Sequence, residues 1–154
     1  MKYFNELYPD LYTFKYPKAG EDNSKVTAHV IGADGSNLMD INLGEYEYIP
    51  RLQWSKTENK LVLQTLNRHQ NELKYHLMAI NNAKMETKAF YTETSKTYVE
   101  IDDNLLILDD GNTILRTSEQ NGYNHIYALT FDGKSRAVTS GEWDVIDCYG
   151  IDAK

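Results

Sequence analysis

Three Asp-Gly pairs constrain this chain more than any other feature: Asp34-Gly35, Asp110-Gly111 and Asp132-Gly133. Each stands between short runs rich in β-branched and aromatic residues. An Asp-Gly flanked by such runs is a strong local signal for a β-hairpin. Two-residue turns that match strand twist need positive φ, which Gly tolerates and Asp accepts. The flanking runs "KVTAHVIG", "YIPRLQW", "TILRTS", "NHIYALTF", "RAVTS" and "WDVIDCYG" therefore read as strands. In "NHIYALTF", alternation sends His125, Tyr127 and Leu129 to one face, and Asn124, Ile126, Ala128 and Thr130 to the other.

One segment competes with this reading. Thr57 to Phe90 has neither Pro nor Gly, and Leu66, Leu73, Leu77 and Ile80 fall near helical spacing. Propensity alone makes "LNRHQNELKYHLMAI" a helix. The apolar and β-branched texture of "KLVLQTL", and the polar turn character of "NRHQN" and "INNAK", point instead to two strands.

The pattern repeats. "LQWSKTENKLVLQTLNRHQNELKYHLMAINNAKMETKAF" aligns with "LLILDDGNTILRTSEQNGYNHIYALTFDGKSRAVTS", with Leu61 on Ile114 and Tyr75 on Tyr127, a period of about 52 residues. Each unit reads as four antiparallel strands, the content of one propeller blade. The expected fold is all-β: a partial β-propeller of about two four-stranded blades plus parts of the flanking ones. Residues 1–154 form one fragment of a propeller domain. Residues 1–43 supply outer strands of a preceding blade, 44–93 and 94–140 one blade each, and 141–154 the inner strand of the next.

Composition excludes several classes. The net charge is −7 with no cluster of Lys or Arg, which opposes nucleic-acid binding. No unbroken apolar run exceeds four residues, as at Leu105–Leu108, so no spanning segment is expected. "MKYFNELYPD" has no apolar core of a signal peptide. Cys148 is the sole cysteine, which rules out an internal disulfide and suits a small apolar core residue.

Candidate sites reduce to structure. His29, His69, His76 and His125 lack metal-ligand spacing, and His125 reads as a strand residue bonding a neighbouring turn. The aspartates of "DDNLLILDDGN" lack the alternating ligands and terminal Glu of a calcium loop. Asp109-Asp110-Gly111-Asn112 offers only the turn. Trp54, Trp143 and the tyrosines are expected to fill gaps between blades. No catalytic, metal or cofactor residue emerges.

"YPKAG" at 16–20, "YIPRLQW" at 48–54, "LNRHQN" at 66–71, "GYNHIY" at 122–127 and "GEWDVIDCYGID" at 141–152 resemble, in order, landmarks of one family. That family is the amino-terminal β-propeller region of dipeptidyl peptidase IV, in the prolyl oligopeptidase clan of serine peptidases. The landmark residues are Pro17, Gly20, Trp54, Arg68, Gly122, Tyr123, His125 and Trp143.

The resemblance implies a larger protein that removes X-Pro or X-Ala dipeptides from peptide amino termini. Its other parts would be the rest of the propeller and an α/β-hydrolase domain carrying a Ser-Asp-His triad, and it would be exported to the periplasm or cell surface. It also implies paired glutamates that grip the substrate's amino group. Neither an adjacent Glu-Glu nor a Gly-x-Ser-x-Gly elbow occurs here, so no such residue carries over. The compact "YVEIDDNLLILDDGN" replaces a longer loop of animal relatives, so that loop's aromatic substrate contact does not carry over either.

A free-standing β-module that binds a protein or peptide by strand addition is the main alternative. A propeller of a non-enzymatic sensor ranks behind it, because it would share the blades but not the landmarks. In isolation, open blade faces and edge strands are expected to drive self-association.

Overall fold

The computed structural model describes residues 2–3, 7–8, 10–56, 59–81, 84–103 and 105–152. No helix occurs among them. Within the described residues, twelve strands form four antiparallel sheets. β1 (Lys2–Tyr3) pairs with β2 (Asp10–Leu11), and β3 (His29–Val30) with β4 (Met39–Asp40). The first four-stranded sheet runs in chain order: β5 (Leu52–Trp54), β6 (Lys60–Leu66), β7 (Glu72–Asn81) and β8 (Lys84–Thr94). The second repeats that meander with β9 (Leu106–Ile107), β10 (Thr113–Ser118), β11 (His125–Thr130) and β12 (Ser135–Ala137). The fold is an all-β partial propeller.

The helix-like segment holds β6, β7 and the start of β8, one strand more than the two expected from 57–90. Burial explains why propensity loses. Six of the seven residues of β6 are buried, so its two faces both lie in packed layers. One side, with Leu61 and Leu63, joins Met78, Ile41 and Leu43. The other, with Val62 and Leu66, joins Leu73, Tyr75, Phe90, Ile114 and Leu129. A strand sandwiched in this way loses the polar alternation that would reveal it. The polar turn expected at "INNAK" falls partly on residues 82–83, outside the described residues.

The Asp-Gly turns are hairpin turns of a different type from the expected two-residue form. At each, the glycine N–H donates to the carbonyl three residues earlier: Gly35 to Gly32 and Gly133 to Thr130, both at 2.8 Å, and Gly111 to Leu108 at 3.2 Å. Only the glycines take positive φ, +82°, +88° and +64°; the aspartates do not. This is a type I turn followed by a left-handed glycine. The aspartate instead accepts hydrogen bonds from the far side of the turn. Asp110 Oδ1 takes the Asn112 and Thr113 N–H groups at 2.9 and 2.8 Å. Gly133 also approaches the first sheet so closely that a Cβ there would lie 2.5 Å from the Phe90 carbonyl oxygen.

The repeat register needs one correction. Leu61 and Ile114 do correspond, each packed toward the preceding sheet. Tyr75 and Tyr127 do not. The hairpin from Leu61 to Met78 is two residues longer than the one from Ile114 to Leu129, and a one-residue slip reverses the face of a strand residue. Tyr75 therefore points forward and Tyr127 backward, and the two flank the same buried arginine. "WDVIDCYG" joins no sheet among the described residues, because no described strand runs beside it as a ladder partner. It is held by Asn124, whose Nδ2 donates to the Val145 carbonyl at 2.7 Å and whose carbonyl accepts the Val145 N–H at 2.7 Å.

Candidate functional site

The two ends of the sheets differ in kind. Tight Asp-Gly turns join β9 to β10 and β11 to β12, whereas longer irregular segments, 67–71, 95–103 and 119–124, gather at the opposite end. The Ser95 N–H donates to the Asn71 carbonyl at 3.0 Å, and the Val99 N–H to the Gln70 carbonyl at 2.9 Å. Between the last two of these segments and the ends of β8 and β10 lies a recess of about 560 Å³, lined by Glu93, Tyr98, Glu100, Asp102, Ser118 and Gln120 among others. Loops held on a rigid scaffold are where binding residues concentrate.

The floor of the recess is a closed ring of hydrogen bonds between the two sheets. Arg116 on β10 is 1% exposed, yet it bears a full charge. Its Nη1 pairs with Glu93 Oε2 of β8, and its Nη2 donates to the Tyr91 hydroxyl at 3.1 Å. Tyr91 donates in turn to Gln120 Oε1 at 3.1 Å. The Gln120 backbone N–H donates to Ser118 Oγ at 3.1 Å, and Ser118 Oγ donates to Glu93 Oε1 at 2.5 Å. The guanidinium also sits 4.8 to 5.6 Å from the ring centres of Tyr91, Tyr75 and Tyr127, within cation–π range.

Burial pulls the Arg116 pKa down, but Tyr75, Glu93 and Tyr91 around it outweigh that effect and hold it above the ordinary value. Burial pushes the Tyr75 hydroxyl up, so it stays neutral. The hydroxyls of Tyr75 and Tyr127, the Gln64 carboxamide and Arg116 Nε are buried beside the ring with no protein hydrogen-bond partner.

Asp102 anchors the connecting segment to the same floor. Its two carboxylate oxygens accept from the Thr117 N–H and Oγ at 2.7 and 2.8 Å. Next to it Asp103 pairs with Arg51 at 2.5 Å, tying the approaches to β5 and β9 together. That bond holds the Asp103 carboxyl below its usual range.

The landmark residues do not converge on one site. Gly122 lines the recess, with φ +95°. Tyr123 is 39% exposed. His125 bonds the segment after β12, with Nε2 2.9 Å from the Gly141 carbonyl and Nδ1 3.1 Å from Thr139 Oγ, and its ring meets Trp143 edge-on at 5.1 Å. Gly20 and Arg68 share a second, open recess, where Arg68 and Asn23 both bond Glu47 Oε1, at 3.0 and 2.7 Å. Pro17 lies in an exposed segment.

Trp54 and Trp143 are about half exposed in this chain, so neither is buried between its two four-stranded sheets. Tyr75 and Tyr127 are buried there. His69 is exposed on a loop, and His76 is buried against Thr65 Oγ at 2.9 Å. Among the described residues, no group of His, Cys, Asp or Glu could hold a metal ion, and no helix is long and apolar enough to cross a membrane.

Reading the sequence did not single out Arg116, Glu93 or Tyr91. A signal exists for Arg116 alone: in "TILRTS" it shares the inward face with Ile114 and Ser118, and an inward charge demands a partner. Its partner lies 23 residues earlier on another sheet, with nothing local to announce it.

Taken together, paired four-stranded meanders with tight turns at one end and longer irregular segments at the other define a segment of a β-propeller. Residues 1–154 match the family described as "Dipeptidyl peptidase IV (DPP IV) N-terminal region". The chain belongs to that family. It is 34% identical to a solved dipeptidyl peptidase 4 of Porphyromonas gingivalis, with a TM-score of 0.82 over 99% of this chain and 22% of that one. A probable dipeptidyl-aminopeptidase B of Phaeosphaeria nodorum is 26% identical over 92% of this chain and 17% of its own length. The mouse protein named inactive dipeptidyl peptidase 10 is 29% identical over 98% of this chain and 21% of its own. The chain thus spans about a fifth of the length of these relatives.

Proposed function

We propose that this chain is a non-catalytic propeller segment of a serine dipeptidyl peptidase that removes X-Pro or X-Ala dipeptides from peptide amino termini. It forms part of the wall of the substrate chamber and packs on the catalytic domain. The observation that carries this reading is the recess between segments 95–103 and 119–124, set on a rigid buried ring at the loop end of the sheets. Five of its lining residues are carboxylates and one, Lys96, is a cation. Such a lining suits the ammonium and N–H groups of a peptide.

One relative is named inactive, so family membership by itself does not confer turnover. The reading is tested with a chromogenic Gly-Pro substrate. The complete natural protein hydrolyses it and a serine-directed inhibitor abolishes the reaction, whereas the purified 154-residue chain is inert. Inhibitor-sensitive hydrolysis by the chain alone would overturn the proposal, as would an inert complete protein.

A further inference from the structure

Gln120 stands exposed at the rim of the recess, and the way it is held fixes which end of its carboxamide faces outward. A guanidinium can only donate. The 3.1 Å contact between Arg116 Nη2 and the Tyr91 hydroxyl therefore makes that oxygen an acceptor. The phenol has a single proton, and Gln120 Oε1 at 3.1 Å receives it. A reversed amide would leave that proton without a protein acceptor. The orientation thus follows from chemistry, and the two N–H groups of Nε2 lie away from Tyr91. The backbone of the residue is fixed as well, through Ser118 to the Glu93 carboxylate.

The rest of the lining gives this donor a distinct role. Glu100 and Glu119 stand exposed on the lining as acceptors, while the carboxylates of Glu93, Asp102 and Asp103 are held by Arg116, Thr117 and Arg51. An extended peptide offers a carbonyl at every residue, and carboxylates repel it. A neutral side chain with an oriented N–H supplies what the acidic lining lacks.

We propose that Gln120 is a peptide-recognition residue whose Nε2–H donates to a backbone carbonyl of a peptide lying in the recess, with Tyr91 and Arg116 as positioning residues behind it. This rests on the reading of the recess as part of the chamber wall.

The test uses the complete natural protein and a pentapeptide beginning Gly-Pro. Gln120→Ala and Gln120→Glu each raise KM about two- to tenfold with kcat unchanged, the scale of one hydrogen bond. Gln120→Glu is informative because a carboxylate still accepts from Tyr91 but cannot donate. Tyr91→Phe, which frees the amide to turn, raises KM by less. A melting temperature unchanged in Gln120→Ala separates recognition from folding.

An unaltered KM in both Gln120 variants overturns the inference. Tyr98→Ala, which trims a recess wall, then tells which idea failed. If it raises KM while the Gln120 variants do not, the wall reading survives and the role of Gln120 falls. If the unaltered protein neither binds nor cleaves the pentapeptide, both fall together.

Discussion

Replacing Glu93 with alanine strands the Arg116 charge inside the protein. Both side chains are nearly inaccessible, Arg116 at 1% and Glu93 at 8%, so the guanidinium is left without its counter-charge. Breaking one partner of a buried pair costs about 3–5 kcal/mol, and Ser118 Oγ loses its acceptor at the same time. Against a typical total of about 5–15 kcal/mol, such a loss removes a large share of the stability.

Urea unfolding at low protein concentration, followed by fluorescence and far-ultraviolet circular dichroism, reads the change as a lower midpoint at constant slope. The double replacement Glu93→Leu with Arg116→Met removes both charges and restores most of the loss, because a well-packed apolar pair is often as stable as a buried ionic one. A Glu93→Ala cost below about 1 kcal/mol would refute the reasoning, since it would mean that the guanidinium finds solvent or another anion.

Three further outcomes follow from the same geometry. Gly133→Ala destabilises more than Gly35→Ala in thermal unfolding: both sites have positive φ, which costs a non-glycine residue about 1 kcal/mol or more, but only at Gly133 would the Cβ meet a backbone carbonyl, at 2.5 Å; equal losses would contradict the close approach. The pKa of His76 is lowered from 6.5 by burial and then by Lys74, so the unfolded chain binds the proton more readily than the folded one. Stability therefore falls as pH drops below about 6.5, and His76→Gln flattens that dependence in urea titrations at a series of pH values; an unchanged slope counts against it. The isolated chain self-associates, because Tyr149, Ile146, Leu7 and Tyr8 are 82–96% exposed; sedimentation as a concentration-independent monomer would contradict this.

What the sequence determined by itself is local and periodic. Asp-Gly pairs mark hairpins because only glycine takes the left-handed position cheaply, and that restriction is written at single residues. Inward His125, Tyr127 and Leu129 are legible because β11 alternates, with one face buried. The roughly 52-residue spacing was visible because each sheet repeats one meander.

What the tertiary structure alone decided is how the sheets face each other. A two-residue difference inside one hairpin turns Tyr75 toward Tyr127, and no constant offset along the chain can register it. Between the two four-stranded sheets of this chain the buried aromatics are Tyr75 and Tyr127 rather than Trp54 and Trp143. The ring of Tyr91, Glu93, Arg116, Ser118 and Gln120 joins residues up to 29 positions apart, and so does the recess above it. Hydrogen bonds and charge pairs act over a few ångströms of space rather than along the chain. Packing of one sheet on the next therefore had to be known before a site appeared.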